Sequence, residues 1–141
     1  MITLEDLDIG ARTIFGEARG EPYEGMKAVA HVILNRCSSN TGQWVRDTTI
    51  KDTCQRKWQF SCWNDGDPTK DRVVSATYEE NKLRECMKAL LDAIGERNDP
   101  TKGAHHYMTI ARHKQGWPNS WGPEKEPDVV IGNHEFFVGI P

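Results

Sequence analysis

Long apolar runs are absent from this chain of 141 residues, and none approaches the roughly 20 residues that a membrane-crossing helix requires. The opening Met1-Ile2-Thr3-Leu4-Glu5-Asp6-Leu7-Asp8 holds neither a basic cluster nor an apolar segment. The expectation is therefore a protein made in the cytoplasm without a signal peptide and with no stable membrane association. Basic clusters are also missing. A formal net charge of -3 and a pI near 5.9 leave no electrostatic footprint for a polyanion, so nucleic acid is not an expected partner. The four cysteines, Cys37, Cys54, Cys62 and Cys86, form no C-x-x-C pair, which excludes zinc-ribbon and thioredoxin-type sites on spacing. Free thiols are the default; Cys54 and Cys62 bracket one loop, and their redox state stays open. There is no H-E-x-x-H, no internal repeat, no low-complexity tract and no linker. At 16.0 kDa the chain suits one core. A single catalytic domain over residues 1–141, acting as a monomer and without a cofactor or metal, is expected.

What the chain does contain is helical periodicity. Leu4, Leu7, Ala11, Ile14 and Ala18 recur at helical spacing, and Thr3 can cap the first turn with Asp6 three residues on. A second helix is predicted from Pro22 to about Arg36, with Met26, Val29, Ala30, Ile33 and Leu34 inward. Thr77 with Glu80 forms a capping-box pattern. It precedes a third helix traced by Leu83, Met87, Leu90, Leu91 and Ile94 and ended by Gly95. Between Cys37 and Thr77 the pattern is irregular, with polar turns at 38–42 and 64–68, and is read as loop. Residues 104–110 read as a strand, and 129–138 as a hairpin turning at Gly132-Asn133. The fold class is thus α+β, mainly helical with a short antiparallel sheet near the C-terminus. Five tryptophans, at positions 44, 58, 63, 117 and 121, all fall in segments read as loops, where aromatic rings either line ligand sites or plug an irregular core.

The stretch Gly16-Glu17-Ala18-Arg19-Gly20-Glu21-Pro22 places an acid where the first apolar stripe ends, at a sharp corner between two helices. A carboxyl at that edge is partly desolvated, which disfavours its charged form and keeps a proton available at neutral pH. Glu17 is accordingly the candidate general acid. The alternative from the residues alone is a solvated acid in the last helical turn, with Glu21 merely preceding the next helix.

The blocks Ala11-Arg12-Thr13-Ile14-Phe15-Gly16-Glu17-Ala18-Arg19-Gly20-Glu21, Gly25 through Arg36, and Trp58-Gln59-Phe60-Ser61-Cys62-Trp63-Asn64 resemble the SleB-like cell wall hydrolases, a family of spore-cortex-lytic enzymes and phage endolysins. The resemblance runs from about Leu7 to Phe137. It implies a small lysozyme-like domain and, as substrate, peptidoglycan glycan strands cut between N-acetylmuramic acid and N-acetylglucosamine. It also implies muramidase or lytic transglycosylase chemistry with Glu17 as acid/base. Where the family pattern has Thr-His-Tyr-His, this chain has His105-His106-Tyr107-Met108, so the second histidine is missing. A stand-alone catalytic domain fits a phage lysin, with holin-assisted release to the cell wall, better than a spore enzyme.

Glycosidases commonly use two carboxylates at a set separation. Glu21 is the candidate second acid, although Gly20 and Pro22 leave its distance from Glu17 undetermined. Gln59 and Ser61 can supply an amide and a hydroxyl to sugar groups, Phe60 can anchor their loop, and Trp58 or Trp63 can form a sugar platform. His106 and Tyr107 can line the cleft from the sheet, with Tyr107 orienting Glu17; His134 and Phe137 can pack beside them, and Trp121 can close one end. Two rival functions remain. One is a zinc-dependent peptidoglycan amidase or peptidase drawing ligands from His31, His105, His106, His113 and His134, although adjacent strand histidines point to opposite faces. The other is a non-catalytic glycan-binding module built on the loop tryptophans.

Overall fold

The computed structural model describes residues 1–39, 42–44 and 48–140. Six α-helices occur among these residues: α1 (Leu4–Ala18), α2 (Tyr23–Ser38), α3 (Ile50–Gln55), α4 (Lys70–Ser75), α5 (Asn81–Gly95) and α6 (Ile110–Lys114). A three-stranded antiparallel sheet follows, with β1 (His106–Thr109), β2 (Val129–Ile131) and β3 (His134–Phe137) in the order β1-β3-β2. The expected class, mainly helical with a small C-terminal sheet, is what the chain adopts.

Helix α1 begins as its sequence dictates. Thr3 Oγ1 accepts the Asp6 amide at 3.0 Å while Asp6 Oδ2 accepts the Thr3 amide at 3.0 Å, a complete capping box. Asp6 Oδ1 also accepts the Lys51 amide at 3.0 Å, so one buried carboxylate fastens the starts of α1 and α3 together. The apolar stripe buries Ala11, Ile14, Phe15 and Ala18 against α2, α3 and α5. Gly16 is needed for close approach: a Cβ there would lie 2.7 Å from Cys62 Cβ, beneath the short 3-10 turn Ser61–Trp63.

Several sequence expectations need correction. Pro22 occupies the N-cap position of α2 (ψ 160°) and not its first turn. The 37–77 stretch is not structureless, because α3, α4 and 3-10 turns at Gly42–Trp44 and Ser61–Trp63 lie within it. These elements are too short to show a helical period, so only their Thr49 cap and turn residues could have marked them. The expected turn at 38–42 includes residues 40 and 41, which lie outside the described ones. At α5 the predicted capping box does not form. Glu80 is the N-cap, without a side-chain cap, and its carboxylate pairs instead with Arg72 at 2.9 Å. The buried face of α5 is Leu83, Cys86, Ala89, Leu90 and Ala93, while Leu91 and Ile94 are exposed. The buried stripe is thus offset from the run of large apolar residues, with Gly10 of α1 making room for Leu90. Residues 104–110 give a four-residue strand, after which Ile110 opens α6 under a Thr109 cap.

The sheet is tied to α2 by polar contacts along the connecting segment. Asn35 Nδ2 donates to Asp99 Oδ2 at 2.8 Å and to Ala104 O at 3.0 Å, and Arg36 Nε donates to His105 O at 2.7 Å. Register pairs Tyr107 with Phe136 and Thr109 with His134. With a side-chain period of two, Tyr107, His134 and Phe136 therefore share the face toward α1 and α2. His106, Met108 and Phe137 take the opposite face, where Trp117 and Trp121 cover Met108 and Phe137. The hairpin turns at Gly132 (φ 60°), as expected.

Candidate active site

Glu17 stands in the last turn of α1, and three elements converge on its carboxyl. The backbone N–H of Cys62, from the Ser61–Trp63 turn, and the hydroxyl of Tyr107, from β1, are the nearby donors that favour its carboxylate form. Burial pushes its pKa above the ordinary carboxylate value, and the nearby charge of Asp67 adds to this. The charge of Arg36 and these two donors pull the other way without cancelling the effect. Tyr107 is itself held as a neutral phenol, its pKa raised by burial and by Glu17. The result is an acid that holds its proton more tightly than an ordinary carboxyl does, at the wall of a cleft of about 530 Å³.

The cleft brings together many of the residues singled out from the sequence. Gln59, Ser61, Tyr107 and Trp121 line it beside Glu17. Trp58 also borders it, 73% exposed and in a left-handed backbone conformation (φ 70°), so a large ring is held out into solvent at the cleft edge. Others are not brought in. Phe60 is buried and packs on Arg36, 4.8 Å from ring centroid to guanidinium, so it anchors its loop and does not meet the cleft. Trp63 lies outside the cleft, its indole N–H donating to Thr13 Oγ1 at 2.9 Å. His106 faces an adjoining chamber and not the acid's own cleft.

Glu21 does not supply a second acid to the cleft. Its Oε1 accepts the Asn133 amide at 2.8 Å, its Oε2 accepts Asn133 Nδ2 at 3.0 Å, and His134 Nδ1 lies 2.9 Å from Oε1. The His134 approach is close but poorly aligned for a hydrogen bond. Glu21 is thus a clamp joining the α1–α2 corner to the β2–β3 turn. A Cβ at Gly132 would stand only 3.0 Å from Glu21 Oε1, so that turn takes glycine for room as well as for its positive φ. The clamp seats His134 in the cleft wall, its ring edge-on to Tyr107 at 5.1 Å. Among the described residues, Glu17 is the only acid lining the cleft.

Arg36 was not recognised as a site residue from the sequence. Its side chain lies between Trp44, 4.6 Å away, and Phe60, and it borders the cleft. Burial lowers its pKa to about 10, which leaves it charged at neutral pH. The available signal was position: Arg36 follows Val29 and Ile33 on the buried stripe of α2, where an apolar residue is the rule.

The five histidines do not gather. His31 is held by Glu96 at 2.5 Å, His113 by Glu135 at 2.5 Å and Glu124 at 3.1 Å, and His134 contacts Glu21, while His105 and His106 lie against Trp44. Among the described residues, no three histidines, cysteines or carboxylates are placed to hold one metal ion. Burial raises the thiols of Cys54 and Cys86 to about 12 and that of Cys62 further, so these three are not nucleophiles at neutral pH. An apolar hollow of about 300 Å³ beside Ile2, Leu34 and Ile50 holds only Asp6 as an acid, already engaged as a cap. No helix among the described residues is long and apolar enough to cross a membrane.

This arrangement, one half-buried acid between a helix end, a short turn and a small sheet, has relatives. The sequence profile described as Cell Wall Hydrolase matches residues 20–137. The chain belongs to the cell wall hydrolase family. The profile match begins at Gly20, so the assignment of Glu17 rests on its geometry. The spore cortex-lytic enzyme of Bacillus subtilis is 59% identical over 132 residues, covering 93% of this chain and 37% of that protein. The crystal structure of the catalytic domain of the Bacillus cereus SleB protein aligns with a TM-score of 0.71 at 29% identity, over 96% of this chain and 91% of that one. The catalytic domain of the germination-specific lytic transglycosylase SleB from Bacillus anthracis aligns with a TM-score of 0.68 at 30% identity, over 95% and 94%. The fold is that of the SleB catalytic domain. The chain spans between 34% and 43% of the length of the spore cortex-lytic enzymes it matches.

Proposed function

We propose that this cell wall hydrolase domain is a peptidoglycan lytic transglycosylase that cuts the glycan strand between N-acetylmuramic acid and N-acetylglucosamine, with Glu17 as its single acid/base. The observation that carries the reading is a single half-buried acid, the only one lining the cleft among the described residues, whose pKa burial raises above the ordinary carboxylate value. Glu17 first gives its proton to the glycosidic oxygen as the bond to the muramic C1 breaks and positive charge develops on the ring. The resulting carboxylate faces Arg36, a permanent cation. It then takes the proton of the muramic 6-hydroxyl as that oxygen attacks C1, closing a 1,6-anhydro ring and restoring the acid. No second carboxylate and no attacking water are required, which agrees with the commitment of Glu21 elsewhere.

The relatives compared above are spore cortex-lytic enzymes, and they favour cortex-type peptidoglycan as the substrate; none of them supports the phage endolysin setting or a holin partner. Mass spectrometry of glycan fragments released from purified peptidoglycan tests the reaction. Anhydro-muramic ends support it, whereas reducing muramic ends indicate a muramidase. Free stem peptides, lost on chelation and regained with zinc, indicate the amidase. Binding with no fragments released at all indicates the glycan-binding module.

A further inference from the structure

Beside the acid's cleft lies a second, more enclosed chamber of about 310 Å³. Arg36, Trp58, Gln59 and Trp121 border both, so they form the partition between the two. Gln43, His106 and Ser120 complete its lining. No carboxylate lines it among the described residues, and none lies within ion-pair distance of Arg36.

The polar groups of this chamber are incompletely satisfied. Arg36 is 5% exposed, its Nε is engaged by His105 O, and its Nη1 has no hydrogen-bond partner among the described residues. His106 is likewise 5% exposed, and its Nδ1 has no partner. Only three buried side-chain polar atoms among the described residues are in this condition, and two belong to residues that border this chamber. Buried polar groups are nearly always paired, so a matched pair of exceptions in one wall marks a place where a partner is to be supplied. Burial and the charge of Arg36 bring the His106 pKa to about 4, so the ring is neutral and Arg36 is the chamber's only full charge.

A guanidinium donates and never accepts, so its missing partner is an acceptor oxygen. Neutral Gln59, Ser120 and His106 suit an oxygen with a neighbouring N–H or hydroxyl, and the faces of Trp58 and Trp121 suit an attached methyl. The geometry points to a substituent-binding subsite: Arg36 and His106 receive an acyl oxygen carried by the sugar seated at Glu17, from either its 2-acetamido group or a muramyl lactyl side chain. This rests on the glycan-cleaving reading above. Arg36 then holds the sugar in register with the acid through the partition that both cavities share.

The test measures binding, which does not depend on turnover. Defined glycan tetrasaccharides are titrated calorimetrically into the 141-residue chain carrying Glu17→Gln, with and without Arg36→Met, each checked for folding by thermal melting. Three glycans are compared: native, N-deacetylated, and with the lactyl acyl oxygen removed by reduction. The subsite predicts that Arg36→Met weakens the native glycan about 10- to 100-fold, the range of a lost charge-assisted hydrogen bond. It also predicts that one of the two altered glycans binds the Arg36 chain equally weakly, with no further loss on Arg36→Met; which glycan does so identifies the source. Equal losses on all three glycans, or unchanged binding by a folded Arg36→Met chain, overturn it. If Arg36→Met fails to fold, the altered glycans still decide with Arg36 in place, since undiminished binding of both overturns the subsite. Failure of the cleavage reading shows separately, in the fragments released by the native chain.

Discussion

Gly16→Ala places one methyl group where the site has no room for it. The added carbon would stand 2.7 Å from Cys62 Cβ, 2.8 Å from Cys62 Sγ and 2.9 Å from Val73 Cγ2, where ordinary carbon contacts are about 3.5–4.0 Å. Relief requires a shift of about 0.8 Å, and it must come from the Ser61–Trp63 turn or from α4, because α1 is locked by its own core packing. Overpacking of this kind costs about 1–3 kcal/mol, and the better helix propensity of Ala returns about 1 kcal/mol. The net loss is about 1 kcal/mol, and at most about 2 kcal/mol, or roughly 4–8 °C in the melting temperature of a domain this size. The same shift carries the Cys62 amide away from Glu17, and misplacement near 1 Å at a catalytic group lowers turnover by up to about 100-fold. Thermal melting by circular dichroism and release of soluble fragments from peptidoglycan read the two effects. Gly20→Ala, at a glycine with open space around it, is the control and stays within about 0.5 kcal/mol of the parent. A Gly16→Ala chain that melts and turns over like the parent refutes the reasoning.

Tyr107→Phe keeps the ring against His134 and Phe136 but removes the hydroxyl donor that favours the Glu17 carboxylate, so kcat falls about 10-fold. The high-pH limb of the activity profile moves upward, because that donor favours the carboxylate; an unmoved limb counts against the contact. Glu17→Gln separates from the parent in stability only at higher pH. Glu17 has a folded pKa above its unfolded one, so its stabilising contribution is complete below the ordinary carboxylate value and is lost as pH rises through the folded pKa. Melting temperatures of the two chains therefore coincide near pH 4, and at pH 7 the Gln chain melts higher; the reverse order contradicts the burial. Trp58→Ala removes an exposed ring, so the melting temperature holds within about 2 °C. KM rises about 10-fold if the ring is a sugar platform, which steady-state kinetics on soluble glycan will show.

The legible parts of the fold were those with long periods. Helices α1, α2 and α5 span three or more turns each, and the hairpin carries its own Gly-Asn turn, so pattern alone placed them. Helices α3 and α4 have six residues each, less than two turns, and their stability comes from packing that a local window cannot see. The face of α5 was misread because small residues, Cys86, Ala89 and Ala93, complete its buried stripe, whereas the larger Leu91 and Ile94 are exposed. At the site, Glu17, Gln59, Ser61 and Tyr107, each drawn from a compact motif, lie along one cleft. Glu21 looked like a second acid from spacing. Its true partners, Asn133 and His134, lie more than a hundred residues away, across a contact between turns that no spacing rule addresses. Arg36 was overlooked for the converse reason: a charge on an apolar stripe was read as the end of the helix, when it is buried between Trp44 and Phe60 beside the acid.

The central claim is that Glu17 lends a proton to the glycosidic oxygen and takes one back. Its most direct test is the Glu17→Gln chain on purified peptidoglycan, with sedimentation reading binding and mass spectrometry reading released anhydro-muramyl fragments. Because Gln preserves the shape and cannot transfer the proton, the account predicts parent-like binding with fragment release reduced at least about 1000-fold. Release at anything near the parent rate contradicts it.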